Sequence, residues 1–276
     1  MEVRITPSVG YALSGNSLIA LDTNNPAAAL PPLAVTGLTV GQNLVAIDFR
    51  PQNGQLYGLG FDSTTSTLQL YAISYQTGVA TAIGSVGTFV DAGGTAVPIT
   101  GTGFAMDFNP AADRIRVTTS SGQNFRINPN TGAGVDGDIT TPATINMDVP
   151  IIGVPNVGPP MIAAPTGISA AAYTNNSANA TATTLYTLDD VTNSLYIQTL
   201  IQPTSGTQVF QNQITLGGMA LDFTAVNGFD IPEGVNTAAS NAAVTAGSGF
   251  AVLTVGTTTS LYSIDLATGA ATNLGA

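Results

Sequence analysis

The sequence predicts an all-β chain folded as a β-propeller of about five four-stranded blades. Three observations point there. Apolar and polar residues alternate with period two, as in Leu68-Gln69-Leu70-Tyr71-Ala72-Ile73 and Arg114-Ile115-Arg116-Val117-Thr118, the pattern of half-buried strands. Turn chemistry separates these runs, at Pro51-Gln52-Asn53-Gly54, Gln76-Thr77-Gly78, Asn128 to Gly132 and Ala267-Thr268-Gly269, and no helical period lasts beyond a turn or two. Whole units then recur about every 50 to 65 residues, the size of a propeller blade with generous loops.

The elements follow in order. Glu2 to Ser8 alternates like a strand and is expected either to close the ring within its own chain or to pair with a neighbour's sheet edge. Tyr11 to Gly37 forms a partial unit with Leu18-Ile19-Ala20-Leu21-Asp22 as its third strand. An apolar strand ending in Asp-Phe opens each later unit: Leu44 to Phe49, Phe104 to Phe108 and Met219 to Phe223, with a weaker copy at Ile168 to Tyr173 where Ala172 replaces the Asp. A second motif, Leu70-Tyr71-x-Ile73-x-x-x-Thr77-Gly78-x-Ala80-Thr81-x-x-Gly84, returns at Leu261 to Gly275 with eight of fifteen positions identical, and a broken copy runs from Phe125 to Gly132. Each unit thus reads as a buried strand, a turn, a second strand, a Leu-Tyr-x-Ile strand and a Thr-Gly turn into a fourth. Six blades is the alternative if residues 224–250 hold extra strands; a β-sandwich fits a repeat of four-strand units less well. One domain over 1–276 is expected, with a Pro-rich loop at about 139–166. The longest apolar stretch, Val149 to Ala164, is broken by Pro150, Pro155, Pro159 and Pro160 and cannot be a membrane-spanning helix.

Composition narrows the chemistry. The chain has 276 residues, 8 % charged, with no His, Cys or Trp, and its five basic residues are all arginine: Arg4, Arg50, Arg114, Arg116 and Arg126. An ordinary domain is about 25 % charged. No imidazole base, thiolate, disulfide, zinc ribbon, lysine Schiff base or Walker-type phosphate site can be built. A net charge of −11 argues against nucleic-acid partners. Hydrophobic content of 44 % excludes disorder. The Thr-, Ala-, Asn- and Gly-rich surface without Lys points to an extracellular or cell-surface setting, although no signal peptide is visible in this numbering.

Specific runs resemble a known family. They are Gly103-Phe104-Ala105-Met106-Asp107-Phe108-Asn109-Pro110, Asp113-Arg114-Ile115-Arg116-Val117 and Gly122-Gln123-Asn124-Phe125-Arg126-Ile127-Asn128-Pro129-Asn130-Thr131-Gly132. Supporting copies run from Asn43 to Pro51 with Gly54 to Tyr57, and from Ala170 to Asn175 with Thr181 to Tyr186. Together they resemble the domain-of-unknown-function family 4394, whose repeat pattern is similar to that of secreted bacterial propellers. The resemblance covers roughly residues 11 to 275, implies a secreted propeller and assigns no activity; residues 139–166 fit its pattern least.

Candidate sites are few. Asp48, Asp107 and Asp222 close the Asp-Phe strands; they either ring the channel as calcium ligands or bond backbone amides of the following turn, and recurrence favours the second. Arg114, Arg116 and Arg126 cluster in one unit, with Asp107, Asp113 and Asp136 as the expected partners. They form an ion-pair network or, more sharply, an anion site at one mouth of the ring. Asp136-Gly137-Asp138 resembles half a calcium loop and is the lesser metal candidate. Asn175 and Asn179 stand in formal glycosylation sequons, and Asn227 to Gly234 is an acidic cluster that reads more simply as a turn-rich loop.

The function expected is non-enzymatic: an extracellular structural or adhesive protein, self-assembling into a homo-oligomer, filament, matrix or surface layer. Little like-charge repulsion keeps copies apart, and Lys, the usual guardian of sheet edges, is absent. No cofactor is expected, calcium being the one candidate. The alternatives are a glycan- or peptide-binding module making cell-surface contacts, and a calcium-dependent propeller hydrolase or lyase.

Overall fold

In a computed structural model, described here for residues 9–138, 140–141, 144–165, 168–199 and 206–276, five small sheets form a five-bladed β-propeller. The Glu2–Ser8 segment and Arg4 lie outside the described residues. Blade 1 holds β1 (Val9–Ser14), β2 (Ser17–Asp22) and β3 (Leu33–Ala34), with a single 3-10 turn at Pro26–Ala28. Blade 2 holds β4 (Asn43–Phe49), β5 (Leu56–Asp62), β6 (Thr67–Ile73) and β7 (Ala80–Ile83). A small hairpin, β8 (Phe89–Val90) and β9 (Ala96–Val97), leads to blade 3, made of β10 (Phe104–Asn109), β11 (Arg114–Thr119), β12 (Asn124–Ile127) and β13 (Gly134–Val135). Blade 4 contains β14 (Ile152–Gly153), β15 (Ala170–Tyr173), β16 (Leu185–Asp189), β17 (Ser194–Gln198) and β18 (Thr207–Gln213). Blade 5 contains β19 (Thr215–Leu216), β20 (Met219–Ala220), β21 (Ala225–Asp230), β22 (Ser248–Val255), β23 (Thr258–Asp265) and β24 (Ala270–Gly275). The innermost strands β1, β4, β10, β15 and β21 lie side by side from blade to blade. No helix of the described residues is long and apolar enough to cross a membrane.

Three expectations need correction. Residues 224–250 supply β21 and the start of β22, so they complete blade 5 rather than add a sixth. Leu18–Asp22 lies in the second strand of its blade, not the third; Pro31 and Pro32, without amide donors, shorten the strand that follows to Leu33–Ala34. Met219–Phe223 is not an inner strand. The Gly217-Gly218 turn folds β20 back on β19 at the outer edge, leaving Met219 75 % exposed, and only Leu221 and Phe223 enter the core. The Pro-rich connection between blades 3 and 4 adds β14 and a bridge between Asn156 and Ile162.

Outer edges are clipped by backbone. Thr36, in the connection entering blade 2, pairs in parallel with Val79 just before β7. The Gly134 amide of β13 donates to the Val86 carbonyl at 3.1 Å. In the same way β14 pairs in parallel with β18, and β19 with β24. Each connection thus covers the outer strand of the blade it enters, which answers the edge problem without charged gatekeepers.

The core is divided into layers between blades. Leu18, Leu44, Leu56, Tyr71 and Ile73 fill the space between blades 1 and 2. Leu59, Leu70, Phe89, Phe108, Ile115 and Phe125 pack blade 2 on blade 3. Tyr186, Leu195, Phe223, Phe229, Leu253 and Ile264 join blades 4 and 5. Between blades 3 and 4 the buried apolar cluster shrinks to Ala105, Ala171, Tyr173 and Leu185.

The repeated Thr-Gly turn has a second role here. Gly78, Gly132 and Gly269 have φ of 73, 71 and 74°, and a Cβ would lie 2.2, 2.0 and 2.5 Å from the carbonyl oxygens of Ala34, Ile83 and Gln213. Those carbonyls belong to the outer strand of the preceding blade, so the glycine allows two blades to meet backbone to backbone. Gly132→Ala should therefore cost about 2–4 kcal/mol in denaturant unfolding. Gly15→Ala, with a φ of 56° but nothing within 4 Å of the added methyl, should cost only about 1 kcal/mol; equal losses would contradict the close-approach account.

Candidate functional site

Three aspartates meet at the centre of the ring. Asp48, Asp107 and Asp230 sit on the inner strands β4, β10 and β21, each after an apolar residue and before another. One carboxylate oxygen from each lies within 4.8 Å of the others. Within their own blades they stand opposite Tyr57, Arg116 and Phe250 in the strand register. Asp107 is almost wholly buried, Asp48 is half-buried and Asp230 is exposed to solvent. Asp222, expected in this ring, instead lies exposed before β21, where it accepts a hydrogen bond from Asn193 at 3.1 Å.

Two of these carboxylates link neighbouring blades. Asp48 Oδ2 accepts the Phe108 amide at 2.7 Å, and Asp107 Oδ1 accepts the Tyr173 amide at 3.2 Å. The donor is thus an amide on the inner strand of the next blade, one residue past the equivalent position, and not one in the turn that follows in sequence. In blade 4 that position is Ala172, fully buried, so the chain of carboxylates stops there. Burial, followed by mutual repulsion, pushes the Asp48 and Asp107 carboxyls well above the usual carboxylate range; burial also raises Asp230. Three carboxylates at this separation can share protons or serve as part of the oxygen shell of a hard divalent cation, which takes six to eight ligands in the case of calcium.

The arginines are placed differently. Arg116 and Arg126 stand opposite each other on β11 and β12 and share Asp148, whose side chain is fully buried. Arg126 reaches it through two 2.8 Å hydrogen bonds and also donates to the Asp136 carbonyl at 3.0 Å. Arg116 donates to Asn124 Oδ1 at 2.8 Å, and the same oxygen accepts from Gln198 of blade 4 at 3.2 Å. Gln198 accepts in turn from Gln208 at 3.0 Å, and Gln208 from the Thr187 hydroxyl at 2.6 Å. This polar chain fills the space between blades 3 and 4 where the apolar cluster is small. Asp113 pairs with Arg50, not with the cluster: Arg50 binds it bidentately and reaches Asn130 at 2.8 Å, fastening blade 2 to blade 3. Arg114 donates to the Asp113 carbonyl at 2.8 Å, and the Asp107 carboxylate makes no ion pair among the described residues.

Asp136 and Asp138 serve their own turn. Asp136 Oδ1 accepts the amides of Asp138 at 3.0 Å and Asn146 at 3.1 Å, and Asp138 Oδ1 accepts the Thr140 hydroxyl at 2.6 Å. Asn175 is engaged with the Thr237 backbone at both ends of its amide, while Asn179 is exposed. Sequence reasoning missed Asp148, which lies in the segment that follows the repeat least. It saw Asp230 within an acidic stretch but read that stretch as a loop. The signal was the Phe-Asp-Ile-Pro order at 229–232, parallel to Ile-Asp-Phe-Arg-Pro at 47–51.

Removing one guanidinium tests the buried network. Arg116→Ala, leaving Asp148 half-paired in the interior, should lower unfolding free energy by about 3–5 kcal/mol. Arg126→Ala, at a side chain 29 % exposed, should lower it by about 1–2 kcal/mol. Chemical denaturation of both variants reads the difference, and a small loss at Arg116 would contradict the arrangement.

No curated protein matches the chain. Among solved structures, it is similar to a structural-genomics protein of unknown function from Bacteroides thetaiotaomicron, at 14 % identity and a TM-score of 0.45. That match covers 99 % of this chain and 59 % of the other, so the chain spans less than two thirds of that protein's length. The sequence matches the family described as Domain of unknown function (DUF4394) over residues 17–276, nearly its whole length, and the chain belongs to that family.

Proposed function

We propose that this propeller is a non-enzymatic extracellular structural or adhesive protein whose copies associate with one another. The observation that carries the reading is a projecting apolar tip. Asn156 and Ile162 exchange backbone hydrogen bonds of 3.0 and 3.1 Å, closing a short loop. At its end Val157 is 86 % exposed and Met161 83 % exposed. Val40 and Met219 add isolated apolar side chains elsewhere on the surface. Unguarded apolar projections on a surface with only 21 charged residues in 276 favour contact between proteins over dispersion. Because the outer strands are clipped by their own chain, association through side chains at such tips fits better than edge-to-edge strand pairing.

Two further readings have an observation each. A cavity of about 430 Å³ beside blade 3, lined by Val90, Val97, Asn124, Asp138, Met147 and Asp148, has the size of a small-ligand site and favours a glycan- or peptide-binding module. The convergence of Asp48, Asp107 and Asp230 favours a calcium-dependent hydrolase or lyase. Calorimetric titration with calcium separates the last from the others: heat lost in Asp230→Asn would support it, and none in the wild type removes it.

Sedimentation velocity across a concentration series tests the main reading. Oligomers or polymers are expected, and the double variant Val157→Asp, Met161→Asp should weaken association roughly 100-fold, the loss of two buried apolar side chains. A wild-type protein that stays monomeric at high concentration, with no ordered polymer by electron microscopy, would overturn it.

A further inference from the structure

We propose that blade 1 holds an open place for an inner strand, and that residues 2–8 of a second copy of this chain fill it, joining copies head to tail. The inference rests on the reading of an associating protein and gives that association its contact.

Strand direction reveals the open place. β4, β10 and β21 bring carboxylates at their C-terminal ends together, and the Phe108 and Tyr173 amides near the ends of β10 and β15 meet Asp48 and Asp107. The inner strands of blades 2 to 5 therefore run the same way. β1, the innermost strand described in blade 1, runs against them. Tyr11, near its start, packs on Phe49 at the end of β4 with ring centroids 5.5 Å apart. Asn16, just past its end, accepts the Leu44 amide at the start of β4 at 2.8 Å. Tyr11 thus repeats Tyr57, whose ring meets Phe108 of the following blade at 5.1 Å. Tyr57 belongs to β5, the second strand of blade 2, and stands opposite Asp48 on the inner strand. β1 pairs with β2 alone, so no described residue stands opposite Tyr11 on the channel side.

The surroundings of that place are unfinished too. Asp48 and Asp107 each accept an amide from the inner strand of the next blade. For Asp230 of blade 5 the next blade is blade 1, and its exposed carboxylate receives no such amide among the described residues. β4 packs on β10, β10 on β15 and β15 on β21, but no such packing joins β21 to β1 among the described residues. The ring closes at its rim instead, where β24 meets the 3-10 turn at Pro26–Ala28. None of the buried apolar clusters spans blades 5 and 1. A strand laid along β1 would gain a backbone ladder and offer Asp230 its amide. This edge is the inner one, apart from the outer edges that the chain's own connections clip.

The sequence supplies an occupant. Val3-Arg4-Ile5-Thr6 keeps the Val-x-Ile spacing of Val45-Ala46-Ile47-Asp48. On that alignment Thr6 stands opposite Tyr11 and Ile5 opposite Ala12, as Asp48 and Ile47 stand opposite Tyr57 and Gly58. Within one chain only four residues separate Thr6 from Tyr11, against eight between Asp48 and Tyr57. Val9 and Gly10 are already extended in β1, which leaves Pro7 and Ser8 to reverse the chain. Proline cannot take the positive φ that the favoured two-residue hairpins need at their first position. A strand from a second copy is free of that constraint. Because donor and acceptor surfaces differ, the contact repeats from copy to copy.

The chain has no cysteine, so introduced thiols report the contact directly. Ile5→Cys and Ala12→Cys would face each other across antiparallel strands, at a separation that a disulfide spans. After oxidation, a non-reducing gel of the full-length double variant should show a ladder of cross-linked oligomers. A mixture of the two single variants should give a dimer containing one of each. A monomer closed by an internal disulfide would overturn the proposal, because the chain would then fill its own place. A double variant that associates without cross-linking would overturn it as well, yet leave the associating reading intact with its contact elsewhere. A wild type that stays monomeric would remove both. Sedimentation velocity of Val3→Asp with Ile5→Asp gives a second measurement, independent of the thiols. Association should weaken about 100-fold or more; association unchanged in this variant but lost in Val157→Asp, Met161→Asp would overturn the proposal and assign the contact to the apolar tip.

Discussion

The ring depends on how the inner strands are joined where the blades converge. A strand at the centre of a propeller has a partner on its outer side only, and amides near its end need another acceptor. Asp48 and Asp107 provide it, each reaching past its own blade to an amide of the next. The arrangement brings carboxylates from three blades together at the inner strands, Asp107 buried among them. Asp230 joins them from the far side of the ring, so the same residues that satisfy the backbone concentrate charge at one point.

Away from the centre the blades are held by different means at different interfaces. The interfaces between blades 1 and 2, 2 and 3, and 4 and 5 are packed mainly with Leu, Ile, Phe and Tyr, whereas that between blades 3 and 4 relies on Arg116, Asp148, Asn124 and Gln198. A network of that kind is sound only when its members are paired, since a buried charge that loses its partner is costly. Three of the five arginines are spent on such interior and inter-blade roles: Arg50, Arg116 and Arg126 are all ion-paired. The exterior holds small polar residues, exposed carboxylates such as Asp91, Asp222 and Glu233, and a few apolar projections. That division links the unusual composition to the proposal of an associating surface.

Much of the fold was legible because it repeats. The Leu-Tyr-x-Ile and Thr-Gly runs fall on β6 to β7 and on β23 to β24, and the Asp-Phe runs at 48 and 107 fall on inner strands. The match at Met219–Phe223 misled because two glycines before it turn the run outward, a tertiary consequence that local pattern does not encode. Asp230 was hidden by the reverse effect: Gly228 and Pro232 make its strand look like a loop, although Phe229 and Ile231 are buried beside it. The pairing of Arg116 with Asp148 was illegible for another reason. Partners 32 residues apart, one of them in a Pro-rich connection, are brought together by the way that connection crosses its blade.

Burial raises all three central carboxyls above the usual carboxylate range, with mutual repulsion adding to it at Asp48 and Asp107. A carbon-13 NMR titration of the aspartate side chains in the folded protein, with Asp48, Asp107 and Asp230 assigned by their Asn variants, measures it residue by residue. At least one of the three should stay protonated well above the usual carboxylate range, and their curves should be mutually dependent. Three independent titrations within the usual carboxylate range would contradict this reading of the centre.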